Sequence, residues 1–101
     1  IFDGIWASFS LQHLPKNDFK TALKILKNSL SETGFFYIGI HEGNKEIRDT
    51  LGRYYSYYAE SEIRGIILSL NLKILSLDKL ESKSFDGKKI NTMHLLIKKN
   101  N

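Results

Sequence analysis

An apolar strand, an amphipathic helix and a second apolar strand follow one another within the first 40 residues, and this succession constrains the fold most. From Ile1 to Ser8 the apolar residues Phe2, Ile5, Trp6 and Ala7 surround the single charge of Asp3, a pattern that predicts a buried strand. Pro15-Lys16-Asn17-Asp18 then offers a helix start, with Asn17 or Asp18 placed to cap the first backbone amides. Phe19, Ala22, Leu23, Leu26 and Leu30 recur at helical spacing, while Lys20, Lys24 and Lys27 fall on the other side. Gly34 is expected to end this helix, as a residue free to take positive φ. Phe35 to Ile40 is aromatic, β-branched and short, and predicts a central strand buried on both faces. Two strands joined by a helix of this length pair in parallel through a right-handed crossover.

The rest of the chain continues an α/β pattern. Glu42 to Tyr58 alternates polar and aromatic residues, a long connection with a helical turn expected around Glu46 to Leu51. Ala59 to Leu70 resumes helical spacing through Ile63, Ile66, Ile67 and Leu70, with Asn71 as a left-handed cap. Gly65 inside that helix costs about 1 kcal/mol relative to Ala. Leu72 to Glu81 and Asn91 to Lys99 are strand candidates, and Phe85-Asp86-Gly87-Lys88 supplies turn chemistry between them. They are expected to form a C-terminal antiparallel hairpin. Residues 1–101 make one domain or part of one.

Composition narrows the functional classes. The chain has no Cys, which excludes disulfides and thiolate metal sites and fits a reducing cytoplasm. The apolar run at Phe35 to Ile40 is far too short to span a membrane, and no basic-then-apolar stretch opens the sequence. A cytoplasmic protein is the expectation. The net charge of +4 comes from scattered lysines without a block of like charge, so they are expected to be solvated helix faces and not a nucleic-acid site. His13, His41 and His94 lack metal-ligand spacing.

Several segments together resemble a known family. They are Phe2-Asp3-Gly4-Ile5-Trp6-Ala7, Ser10-Leu11-Gln12-His13-Leu14, Leu30-Ser31-Glu32-Thr33-Gly34-Phe35-Phe36, His41-Glu42-Gly43, and Arg53-Tyr54-Tyr55-Ser56-Tyr57-Tyr58-Ala59-Glu60-Ser61-Glu62-Ile63. In order and spacing they resemble the C-terminal half of a class I S-adenosylmethionine-dependent methyltransferase. The resemblance implies a partial Rossmann-like sheet holding that family's strands four, five, seven and six. Two strands would be parallel, and the last would insert antiparallel between five and six. The family's glycine-rich cofactor turn has no counterpart, since Gly39 and Gly43 lack a strand–turn–helix setting. Right-handed crossovers in one direction put both main helices on one face. The opposite face and the free edge of the Ile1 to Ser8 strand would then be bare. Self-association through that strand, or pairing with a complementing N-terminal fragment, is expected.

The resemblance also implies a site. The backbone of Ala7 and Ser8 would flank the methionine part of S-adenosylmethionine, and Ser10, Leu11 and His13 would line the crevice. His13 is the candidate base or polar contact, because an unperturbed imidazole titrates near neutrality. The plainer alternative is that Ser10 and His13 finish a strand and cap a helix. Arg53, Tyr54 and Tyr57, with Tyr55 and Tyr58, either floor a pocket for a small-molecule acceptor or pack the loop on the sheet. Glu42 is a candidate acceptor contact at the same sheet end. His41 and His94 are taken as structural. The leading function is the C-terminal part of a methyltransferase, inactive alone because half the cofactor site is missing. The alternatives are a non-catalytic interaction or regulatory module derived from a split or decayed methyltransferase, and a basic RNA-binding accessory domain using the Arg53–Tyr58 cluster.

Overall fold

The computed structural model describes residues 2–8, 11–43, 46–48, 54–83 and 87–100. Strand β1 (Phe2–Ser8) pairs in parallel with β2 (Leu30–His41), and helix α1 (Lys16–Ser29) connects them. A two-stranded antiparallel ribbon follows, β3 (Glu46–Arg48) with β4 (Tyr54–Ser56). Helix α2 (Glu60–Ser69) leads into β5 (Leu72–Lys83), which pairs antiparallel with β6 (Lys89–Lys99). The main sheet runs β1-β2-β6-β5, so the last strand inserts between β2 and β5 and is antiparallel to both.

Period-two alternation decides which side chains meet the helices. Phe36, Ile38 and Ile40 of β2 and Met93, Leu95 and Ile97 of β6 are buried with Phe19 and Leu23 of α1 and Ile63 and Ile67 of α2. Each such burial contributes roughly 1.5–3 kcal/mol. Both helices lie on this one face and touch. Lys16 Nζ is 3.0 Å from the Glu62 carboxylate, and Lys27 Nζ donates to the Leu70 carbonyl at 2.6 Å. The Phe19 ring packs on Tyr58 with centroids 4.5 Å apart. A groove of about 540 Å³ lies along this helix pair, lined by Lys20, Lys24, Lys27, Asn28, Ser69 and Asn71 among others.

Three sequence expectations change. Helix α1 ends at Ser29, not Gly34, because Leu30 already takes extended backbone (φ −87, ψ 136) and its side chain enters the core. Gly34 lies inside β2 instead, where a Cβ would stand 2.7 Å from the Asp3 carbonyl oxygen. The residue is required by close approach, not by positive φ. At the helix start no side chain caps α1. Pro15 is the N-cap residue, its carbonyl accepting from Asp18 and Phe19 N–H, and Asp18 sits in the first turn. The expected helical turn at Glu46 to Leu51 begins as a strand, since residues 46–48 pair with Tyr54–Ser56. Asn71 does take the left-handed conformation after α2, at φ 58.

Among the described residues, the face of the sheet away from the helices is left uncovered. Trp6 is 74% exposed, Phe35 48% and Leu80 57%. Central strand β2, expected to be buried on both faces, is buried toward the helices, while on its other face Phe35 is exposed and Tyr37 half-buried. Trp6 and Tyr37, register partners on β1 and β2, stack with centroids 3.9 Å apart at 17°. The Tyr37 hydroxyl is 2.6 Å from His94 Nδ1, and Thr92 Oγ1 is 3.0 Å from His94 Nε2. Thr92 also donates to the Leu80 carbonyl at 3.4 Å, which leaves its oxygen to accept from Nε2–H and Nδ1 to accept from Tyr37. His94 thus serves a one-directional hydrogen-bond chain across the bare face.

Candidate functional site

The carboxyl ends of β1 and β2 open at the same edge of the sheet, where parallel strands leave a crevice. A 3₁₀ turn, Leu11–His13, follows β1 and is tied to this edge by buried polar groups. Gln12 is 3% exposed, and its Oε1 accepts the backbone N–H of His41 at 3.0 Å. Ser56 is fully buried and donates its hydroxyl to the Leu14 carbonyl at 2.6 Å. The segment after β4 runs alongside the end of β2, with Tyr58 N–H on the His41 carbonyl and Gly43 N–H on the Tyr58 carbonyl. A Cβ on Gly43 would stand 2.8 Å from Tyr57 Cβ, so this approach needs the missing side chain.

These ties gather four rings. His13 lies 4.7 Å from Tyr55 between centroids, and His41 lies nearly parallel to Tyr55 at 5.9 Å and 7°. Tyr57 is 5.5 Å from His41 and 6.5 Å from Tyr55. Burial pushes the His41 imidazole below its usual pKa, and the neighbouring His13 pushes it the same way. His13 itself is exposed on the turn.

The residues expected to form the site divide as follows. Ala7 is 6% exposed, with its methyl group in the helix-side core. Leu11 packs on the same core. Glu42 follows β2 as expected, but its carboxylate is 2.9 Å from Lys79 Nζ, which also reaches Glu60 at 3.0 Å. Hydrogen bonds from Arg64 and Lys79 lower the Glu60 pKa, and those to Glu42 and Glu60 raise that of Lys79. Tyr57 joins the ring cluster. Ser10 and Arg53 lie outside the described residues, and of Ser8 and Tyr54 only the backbone is described. His41, expected to be structural, lies within this ring cluster at the carboxyl end of β2. Among the described residues no group of His, Asp or Glu could hold a metal ion, and no helix is long and apolar enough to cross a membrane.

No family model and no curated protein sequence matches the chain. Solved structures do. A SAM-dependent methyltransferase from Methanosarcina mazei superposes with a TM-score of 0.81 at 15% identity, over 97% of this chain and 59% of its own. The 1,6-didemethyltoxoflavin-N1-methyltransferase of Burkholderia thailandensis, solved with 1,6-didemethyltoxoflavin and S-adenosylhomocysteine, gives 0.72 at 19% over 96% and 44%. A methyltransferase from Clostridium acetobutylicum gives 0.72 at 19% over 99% and 59%. The chain spans about half the length of these neighbours. It has the fold of a part of SAM-dependent methyltransferases, matched over almost its full length.

Proposed function

We propose that this chain is the carboxyl-terminal part of an S-adenosylmethionine-dependent methyltransferase, with β1, β2, β6 and β5 equivalent to that family's strands four, five, seven and six. The observation that carries this reading is the insertion of β6 antiparallel between β2 and the returning β5, in a chain that superposes on methyltransferases over 96–99% of its length. The donor supplies a methyl group activated on a sulfonium. Transfer needs alignment and exclusion of water more than it needs protein functional groups. The chain offers one flank of such a site: the backbone at Ala7 and Ser8, Leu11 on the core, and the turn pinned by Gln12. The motif that would hold the nucleoside has no counterpart here, so these 101 residues alone would be inactive.

The partner that completes the site is an amino-terminal methyltransferase segment seated on the β1 edge and the bare face. The position of β1 at the sheet edge among the described residues and the exposure of Trp6, Phe35 and Leu80 support this. Calorimetry with S-adenosylmethionine tests the reading. The 101 residues alone should show no micromolar binding, and the chain extended by its upstream-encoded residues should bind. Micromolar binding by the short chain overturns the incomplete site, and no binding by either removes the methyltransferase reading. Sedimentation tests the surface: a clean monomer at every concentration would count against an adhesive face.

A further inference from the structure

The groove along the helix pair lies on the opposite face of the sheet from Trp6 and Phe35. Lys20, Lys24 and Lys27 of α1 line one side of it, and Ser69, Leu70 and Asn71 at the end of α2 line the other, around a volume of about 540 Å³. Lys20, Lys24, Asn28 and Asn71 are exposed, so the groove is open to solvent. We propose that it binds a small anion carrying two or three linked phosphate groups. The proposal stands apart from the methyltransferase reading, because both walls are helices of this chain and neither belongs to the crevice.

Three observations carry it. First, the charge in the groove has one sign. Among the described residues no carboxylate lines it, and none pairs with Lys20 or Lys24. Several lysines elsewhere do meet carboxylates: Lys16 with Glu62, Lys79 with Glu42 and Glu60, Lys89 with Glu81, and Lys99 with Glu32. Like charges four residues apart on a helix repel, and an anion seated between them relieves that repulsion.

Second, the spacing suits an extended anion. Along α1 the steps from Lys20 to Lys24 and from Lys24 to Lys27 are roughly 6 Å and 4.5 Å. Linked phosphates follow such a row, whereas a single phosphate leaves part of it unmatched.

Third, donors dominate where the anion would sit. The Thr21 hydroxyl donates to the Asn17 carbonyl at 3.3 Å, and the Ser69 hydroxyl to the Ile66 carbonyl at 2.7 Å. Lys27 Nζ donates to the Leu70 carbonyl at 2.6 Å, which offsets the partial negative charge at the end of α2. An ammonium has three N–H donors, so Lys27 keeps two for a ligand. The side-chain amides of Asn17, Asn28 and Asn71 add neutral donors. No aromatic ring lines the groove among the described residues, so a nucleobase finds nothing there to stack on. Recognition would therefore fall on the phosphates alone.

The test is an NMR titration of the chain, following backbone amides, with four probes: tripolyphosphate, orthophosphate, ATP and a single-stranded thymidine oligomer. Tripolyphosphate should shift amides in residues 17–28 and 69–71 to saturation, and ATP should bind the same amides with similar affinity. Orthophosphate should bind at least about tenfold more weakly. Lys20→Gln and Lys24→Gln remove exposed charges without touching the core, and each should weaken tripolyphosphate about threefold to tenfold. Lys83→Gln, an equal charge change on β5 away from the groove, should leave the affinity unchanged. No saturable shift below about 1 mM tripolyphosphate would overturn the assignment. So would orthophosphate binding as tightly, ATP binding far more tightly than tripolyphosphate, or equal losses in Lys83→Gln. Tighter binding of the thymidine oligomer on the same amides would replace the small anion with a nucleic-acid strand and overturn it too. None of these outcomes involves S-adenosylmethionine, so the groove and the methyltransferase reading fail separately.

Discussion

The side-chain oxygen of Gln12 receives the backbone N–H of His41 at 3.0 Å, joining the turn after β1 to the end of β2. A glutamine that is 3% exposed on a surface turn is there for this bond. Gln12→Ala leaves a part-buried N–H without its acceptor and should cost about 1–3 kcal/mol in urea unfolding. A neutral substitution would mean that the turn is not held from this side.

Two glycines should respond in opposite directions. At Gly34 a new Cβ would meet the Asp3 carbonyl at 2.7 Å, with Leu30 Cδ1 and Ser31 Oγ at 2.8 Å. Gly34→Ala should destabilise by about 1–3 kcal/mol, as overpacking does. Gly65 is in α2 with nothing within 4 Å of the added carbon, so Gly65→Ala should stabilise by roughly 0.5–1 kcal/mol. Thermal melts of the pair decide the matter, and equal signs would contradict the packing at Gly34.

Adjacent phenylalanines in β2 report on its two faces. Phe36 is fully buried under the helices, and Phe36→Ala should cost about 3–5 kcal/mol. Phe35 is 48% exposed on the other face, and Phe35→Thr should leave the melting temperature nearly unchanged while reducing binding of a hydrophobic dye. A large loss of stability at Phe35 would show that the face is already covered in solution.

His41 makes stability depend on pH. Its pKa is lowered in the folded chain, by burial first and His13 second, so the unfolded chain binds more protons between the folded value and about 6.5. Its contribution is present in full above about pH 6.5 and is lost as pH falls through the lower folded value. Melting temperature should therefore drop on acidification across this window. His41→Gln should flatten that drop, and His13→Gln should reduce it by removing the like charge. A wild-type slope unchanged in His41→Gln would rule this origin out.

Periodicity made most of the sheet legible. The apolar repeats of β1, α1, α2, β5 and β6 are long enough to show their period, and the parallel pair follows from the intervening helix. The errors fall where local chemistry was ambiguous. Ser31, Glu32 and Thr33 suit a fraying helix end as well as a strand, and tertiary packing of Leu30 decided between them. Residues 46–48 form a strand because β4 is there to pair with them, a non-local partner invisible in so short a segment. At the site, His13 stood out for lying in a loop. The grouping of His41 with Tyr55, Tyr57 and His13 was hidden because tertiary pairing of separate segments makes it.

Trp6 gives the bare face an optical consequence. It is the sole tryptophan of the chain, it stacks on Tyr37, and it is 74% exposed at the sheet edge. Its emission should be that of a wet indole, shifted to the red and open to collisional quenchers. A partner or second copy covering that face would dry this ring, turning the emission blue and shielding it. Trp6 is thus a fluorescent gauge of whether that face is covered.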